Sequence, residues 1–262
     1  MNPFDLIFNA LMCDNVHEKI EQVEKIYALK NQQKFNYQSD FNIVSVEHPG
    51  RPIKPKLARF NTMPKRGKSD LGFIETIHAI CHIEFNAINL ALDAAYRFRN
   101  MPDKFYQDWI QVAFEESQHF QLLNNYLIEL GYQYGDFDAH NGLWKMTFET
   151  DYDVLSRMAL VPRVLEARGL DATPKIQQRF RSSKFKPMVG LLDIIFKDEI
   201  GHVKIGNFWF HYLCKNRNLD PIKTFEDLIQ KHIGESLRGP FNIDARKSAD
   251  FTDQELAYLQ AN

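Results

Sequence analysis

The sequence predicts an all-α protein organised around a four-helix bundle. Two observations carry that prediction. Apolar residues recur at helical spacing along almost the whole chain. Four helical stretches, about 20–30 residues or about 30–45 Å each, also place a glutamate where the pattern calls for an apolar residue. No alternating run demands a sheet.

Residues 4–31 carry Phe4, Ile7, Phe8 and Leu11, then Ile20, Val23, Ile26 and Tyr27. They predict two short helices broken near Cys13-Asp14-Asn15. Pro49, Pro52, Pro55 and Pro64 punctuate residues 32–68 and exclude a long helix there. The segment lacks the Gly/Ser composition of a flexible linker and reads as an extended arm. The first long helix opens at Ser69, an N-cap with Asp70 in the first turn, and ends near Arg97 and Arg99. Pro102 suits the first position of the second, which runs to Leu130 and stops at Gly131. A loop is expected over 132–145. The third helix is expected from about Thr150 to Arg168, stopping at Gly169, with Thr173-Pro174 capping a short helix to about Ser182. Pro162 should kink the third helix. Pro187 opens the fourth, which reaches Asn216, and Asp220-Pro221 opens another to about Ile233. An irregular tail, Arg238-Gly239-Pro240-Phe241-Asn242, precedes a short closing helix. The organisation expected is one structural unit: residues 1–68 packed on a bundle of residues 69–217, with a helical extension over 218–262.

The bulk numbers bound the function. A net charge of −2, from 32 basic and 34 acidic residues, argues against a nucleic-acid or membrane surface. Three cysteines, Cys13, Cys81 and Cys214, form no CxxC and no disulfide framework is expected. With neither a signal peptide nor an apolar run of membrane-spanning length, the expected location is the cytoplasm, without membrane association.

The chemistry lies in the bundle. The first helix has the stripe Ile77, Cys81, Glu84, Ile88, Ala91; the second has Val112, Glu116, Phe120, Leu123, with His119 beside it. The third gives Leu155, Ala159, Pro162, Glu166, and the fourth Ile195, Glu199, His202, Val203, Gly206. A carboxylate buried without a partner is costly, and four converging on one core would repel one another. Two divalent cations resolve the conflict. Glu116-Ser117-Gln118-His119 and Glu199-Ile200-Gly201-His202 put an acid and an imidazole on one helix face, so each pair can bind one metal. Chance placement of 15 Glu and 9 His gives roughly half of one Glu-x-x-His; three occur. The spacing repeats: Glu84 to Glu116 is matched by Glu166 to Glu199, as a pseudo-twofold site requires. The metal ligands expected are therefore Glu84, Glu116, His119, Glu166, Glu199 and His202. The third pair, Glu75-Thr76-Ile77-His78, lies on the polar stripe His78, His82, Asn86, Asn89, Asp93 and reads as a solvated or loop-covered face. Glu115 and Asp198, four residues before the ligand histidines, are candidates to orient them through the far ring nitrogen; surface carboxylates are the alternative reading.

The stretches Cys81-His82-Ile83-Glu84, Glu115-Glu116-Ser117-Gln118-His119-Phe120 and Asp198-Glu199-Ile200-Gly201-His202-Val203 resemble those of a ferritin-like bacterial family known only as a domain of unknown function. His48-Pro49-Gly50-Arg51-Pro52, Pro64-Lys65-Arg66-Gly67 and Leu237-Arg238-Gly239-Pro240-Phe241-Asn242 extend the resemblance over nearly the whole chain. More distantly the ligand pattern is similar to tRNA-modifying di-iron hydroxylases, ribonucleotide reductase small subunits and manganese catalases. The resemblance implies a ferritin-like four-helix bundle with an added N-terminal arm and C-terminal helices. It implies two metal ions, iron first and manganese as the alternative, and supplies no substrate.

The function expected is that of an O2-activating oxidase or oxygenase acting on a small molecule, with an unidentified electron donor. The alternatives are a ferroxidase or iron-binding protein, a catalase-like di-manganese enzyme, and a tRNA-modifying hydroxylase. A homodimer is open as an assembly. RNA binding would rest on the basic stretch Arg51, Lys54, Lys56, Arg59, Lys65, Arg66, Lys68, which holds few aromatics and no recognised motif. Arg238, Arg246 and Lys247 are candidates for an anionic substrate, with a solvated face as the alternative.

Overall fold

The computed structural model describes residues 1–38, 42–58, 66–234 and 237–261. Of the sequence features above, Arg59, Pro64 and Lys65 lie outside the described residues. The protein is predominantly helical, and its chain gathers into two compact units, Met1–Asp151 and Tyr152–Asn262. No helix among the described residues is long and apolar enough to cross a membrane.

The first unit begins with α1 (Phe4–Met12) and α2 (Val16–Asn31). The break at Cys13–Asn15 falls where expected, because Asn15 accepts from the Glu18 amide and caps α2. Lys19, fully buried, closes the other side of the break. Its ammonium donates to Ala10 O (2.7 Å), Leu11 O (3.0 Å) and Asn89 Oδ1 (2.8 Å). The last carbonyls of α1 are thus satisfied by a cation, favourable at a helix C-terminus. No helix forms among the described residues of 32–68. Buried Gly50 donates its amide to Leu11 O at 2.9 Å, and a Cβ there would stand 2.2 Å from the Met12 backbone.

Two long helices, α3 (Asp70–Arg97) and α4 (Asp103–Glu129), form a hairpin through residues 98–102. Ser69 caps α3 by accepting from Gly72 N. Pro102 lies one residue before α4 rather than in its first turn, and Gly131, at φ +83°, follows its C-terminus. The expected loop over 132–145 is more ordered than its composition suggests. Residues Leu57–Ala58 (β1) pair in parallel with Ala139–His140 (β2), and α5 (Gly142–Glu149) follows, anchored by buried Trp144, whose indole donates to Glu47 O at 2.9 Å.

This segment also accounts for the polar stripe of α3, which is covered rather than solvated. His78 Nε2 accepts from Gly135 N (2.9 Å), and the His82 ring nitrogens meet Tyr134 OH (2.9 Å) and His140 O (3.1 Å). Burial pushes both histidines down to about 4, so they serve as neutral hydrogen-bonding groups. Asp93 pairs with Arg97 one turn on, at 2.6 Å.

The second unit begins with α6 (Val154–Leu160), which passes into a π-helical turn, Val161–Glu166, and then α7 (Ala167–Arg181). Two expectations are corrected here. The helix does not stop at Gly169, and Thr173-Pro174 does not start a new one. Glycine costs a helix only about 1 kcal/mol, and Leu170, Gln177 and Phe180 beyond it are buried. Pro174 lacks the N–H that would bond Leu170 O, and the Asn242 side chain donates to that carbonyl instead, at 3.2 Å. Pro162 does disturb the helix, as a π turn that ends on Glu166.

Pro187 opens α8 (Pro187–Asn216), which runs against α6, the π turn and α7. Gly206 makes the approach close: a Cβ there would lie 2.3 Å from Pro162 Cβ. Then follow α9 (Pro221–His232), capped by Asp220, and two short helices, α10 (Ile243–Ser248) and α11 (Asp253–Ala261). Arg163, inside the π turn and fully buried, binds Glu255 of α11 at 2.6 Å and stacks on Phe210 and Phe225.

Candidate metal centre

In the first unit the hairpin register sets the geometry. Cys81 Sγ donates to Phe120 O at 3.8 Å, and the rings of Phe85 and Phe120 meet edge to face at 5.5 Å. Glu84 is therefore level with His119. His119 Nδ1 stands 3.4 Å from Glu84 Oε2 and 3.3 Å from Glu116 Oε2, and the ligand atoms of all three side chains lie within 4.8 Å of one another. All three are buried.

Charge is poorly accommodated in such a place. Burial, then the neighbouring charge of Glu116, pushes the Glu84 carboxyl well above the usual carboxylate range. Burial opposes the imidazolium of His119, but hydrogen bonding to Glu116 and the close approach of the Glu84 carboxylate outweigh it and raise its pKa. The group thus retains protons that a cation would replace. One ring N–H cannot serve two carboxylates fully, and Glu84 Oε2, though buried, accepts no hydrogen bond in acceptable geometry among the described residues. Two carboxylates and an imidazole form a donor set suited to iron, manganese or zinc, so these residues could hold a metal ion.

The second unit carries the same order of ligand residues in a looser arrangement. Gln177 donates to Asp193 at 2.6 Å near one end of the α7–α8 pairing, and Pro162 fits against Gly206 near the other. This antiparallel run brings Glu166 level with His202, as Glu84 is level with His119. His202 Nδ1 lies 3.9 Å from Glu199 Oε2; His202 is buried, while Glu166 and Glu199 are half-buried. Each hairpin thus carries one solitary glutamate opposite a Glu-x-x-His pair. Glu115 is half-buried and ends a chain in which Lys30 donates to Gln111 (2.9 Å) and Gln111 to Glu115 (2.6 Å); Asp198 is half-buried on α8.

Sequence reasoning missed three contributors. The Pro162–Gly206 contact fixes the approach of the Glu166 segment to α8, and the only signal in the sequence was a proline and a glycine at stripe positions. Arg163 and Glu255 are separated by most of the second unit. Arg246, read as a candidate for an anionic substrate or part of a solvated face, is buried, and its clamp on Asp171 through Nε (3.0 Å) and Nη2 (2.7 Å) was not foreseen. Lys247 is exposed and pairs with Asp253.

The fold and these side chains define a helical protein with a buried glutamate–histidine cluster. Residues 12–257 match the family described as "Protein of unknown function (DUF455)", and the chain belongs to it. It is 52% identical over 216 residues to an uncharacterized protein of Haemophilus influenzae (strain ATCC 51907 / DSM 11121 / KW20 / Rd), covering 79% of this chain and 75% of the relative. No solved structure matches.

Proposed function

We propose that Glu84, Glu116, His119, Glu166, Glu199 and His202 together hold two metal ions, iron first, and that the protein is an O2-activating oxidase or oxygenase of a small molecule. The observation that carries this reading is the convergence of the Glu84 and Glu116 carboxylates on one buried imidazole nitrogen at 3.3–3.4 Å. The repeat of that ligand order in the second unit supports two metals rather than one, with the two hairpins completing a ferritin-like bundle. A di-iron pair would supply the electrons that reduce O2. This chain's residues would bind the ions, orient the histidines and exclude water; Glu115 and Asp198 belong to the reading as partners of the far ring nitrogens. A cytoplasmic setting goes with it.

Manganese stays as a second reading because carboxylate and imidazole donors do not separate the two metals. The test is elemental analysis of protein purified from iron-supplemented cells, beside Glu116→Ala and Glu199→Ala. Two iron or manganese ions per chain, reduced in both variants, are expected. A folded wild type that takes up no metal on reconstitution would overturn the reading.

A further inference from the structure

The second unit contains a cavity that the ligand set does not use. It measures about 200 Å³ and sits between the start of α7 and the segment leading into α10. Val164 and Arg168, two residues to either side of Glu166, are in its wall, and Phe241 supplies an apolar surface. Among the described residues, the cationic side chains of Arg168, Lys175, Arg238 and Arg246 line it, with Asp171 as the one acid.

Asp171 is already committed to Arg246. Its Oδ1 accepts from the Asn242 amide (2.8 Å) and Arg246 Nε (3.0 Å), and its Oδ2 from Arg246 Nη2 (2.7 Å). That clamp holds the Arg246 guanidinium rigidly while occupying one edge of it. The Nη1 atom at the other edge is buried and meets no hydrogen-bond acceptor among the described residues, although Arg246 as a whole is only 1% exposed. Arg168 and Lys175 stand exposed at the rim without an ion pair among the described residues. A buried guanidinium with open donors, inside a ring of three further cations, is a recognition element for an oxyanion.

We propose that this cavity binds the anionic group, carboxylate or phosphate, of a small organic molecule. Arg246 Nη1 donates to the oxyanion, Arg168, Lys175 and Arg238 surround it, and Val164 and Phe241 face the carbon portion. The assignment stands on this cavity alone and does not require metal at Glu166.

The test is calorimetric titration of the full-length protein with inorganic phosphate and, separately, with succinate. Ionic strength is held constant, and the titrations are run before and after chelation. The variants are Arg168→Gln/Lys175→Gln and Arg238→Gln at the exposed rim, Arg246→Lys at the base, and Lys247→Gln, outside the cavity, as control. Saturable binding of one or both anions is expected, weakened about tenfold or more in the rim variants, since each lost charge-assisted bond is worth that much. It should be unchanged in Lys247→Gln and should survive chelation. Preference for phosphate or for succinate identifies the anion class. Absence of saturable binding to both at millimolar concentration, or binding equally strong in the rim variants, would overturn the assignment. The rim variants keep the test valid if Arg246→Lys fails to fold.

Discussion

Replacing Gly206 by alanine should displace the Glu166 segment from α8. The new Cβ would lie 2.3 Å from Pro162 Cβ and 2.5 Å from its Cγ, whereas ordinary contact begins at 3.4 Å, so the two backbones must separate by 1.1 Å. Overpacking of this kind costs about 1–3 kcal/mol, while alanine gains about 1 kcal/mol of helix propensity over glycine. The net expectation is a loss of up to about 2 kcal/mol. Gly190, exposed on the same helix, has nothing within 4 Å of the point where a Cβ would stand, so Gly190→Ala should instead stabilise by up to about 1 kcal/mol. Thermal melts of the two variants by circular dichroism should move in opposite directions. Metal content should separate them too, because ligand distances tolerate only about 0.2 Å and 1.1 Å exceeds that. If Gly206→Ala raises the melting temperature as Gly190→Ala does, and keeps wild-type metal content, then Pro162 does not set the spacing of the two helices.

Glu255→Ala should cost about 3–5 kcal/mol by leaving Arg163 charged and buried, and Arg163→Met/Glu255→Leu should recover much of it; equal melting of wild type and Glu255→Ala would refute this. Burial works against the Glu255 carboxylate, but hydrogen bonding to His211 and the charge of Arg163 outweigh it and hold its pKa below the ordinary glutamate value. Its contribution is therefore full above the unfolded pKa of about 4.3 and drains as pH falls below it, so acid melts of the wild type should lose an increment that Glu255→Ala lacks. Gly50→Ala should destabilise the first unit, because its Cβ would stand 2.2 Å from the Met12 backbone, and backbone cannot swing aside as a side chain can. A wild-type urea midpoint for that variant would contradict the contact.

Where helix boundaries depend on local chemistry, they were legible in the sequence. Ser69 caps α3, Gly131 follows α4, and Pro187 and Asn216 bound α8, because each acts on neighbours within a turn. Where a distant residue decides, the local reading failed. Gly169 looks like a stop and Thr173-Pro174 like a new start until Asn242 arrives from far along the chain to take the carbonyl that Pro174 leaves. The polar stripe of α3 leaves two readings open, solvated or loop-covered, and Tyr134, Gly135 and His140 decide for the second by folding over it. The solitary glutamates and Glu-x-x-His pairs were visible because a carboxylate in an apolar stripe contradicts its surroundings. Arg246 was visible as a charge, but its burial against Asp171 was not, since nothing in its immediate sequence records a partner on α7.

The π turn at Val161–Glu166 has a consequence for how this chain can vary. An i→i+5 turn contains one residue more than an i→i+4 turn. Deleting a single residue there would restore regular α-helix and leave the segments on either side in nearly the same angular relation, because the wide turn and the ordinary one each close about one revolution. The carboxylate of Glu166 would then keep its angular position, level with His202. The turn therefore absorbs a difference of one residue without re-aiming the helix: relatives that share the ligand arrangement should tolerate the loss of one residue here, as they tolerate insertions and deletions in the loops around it.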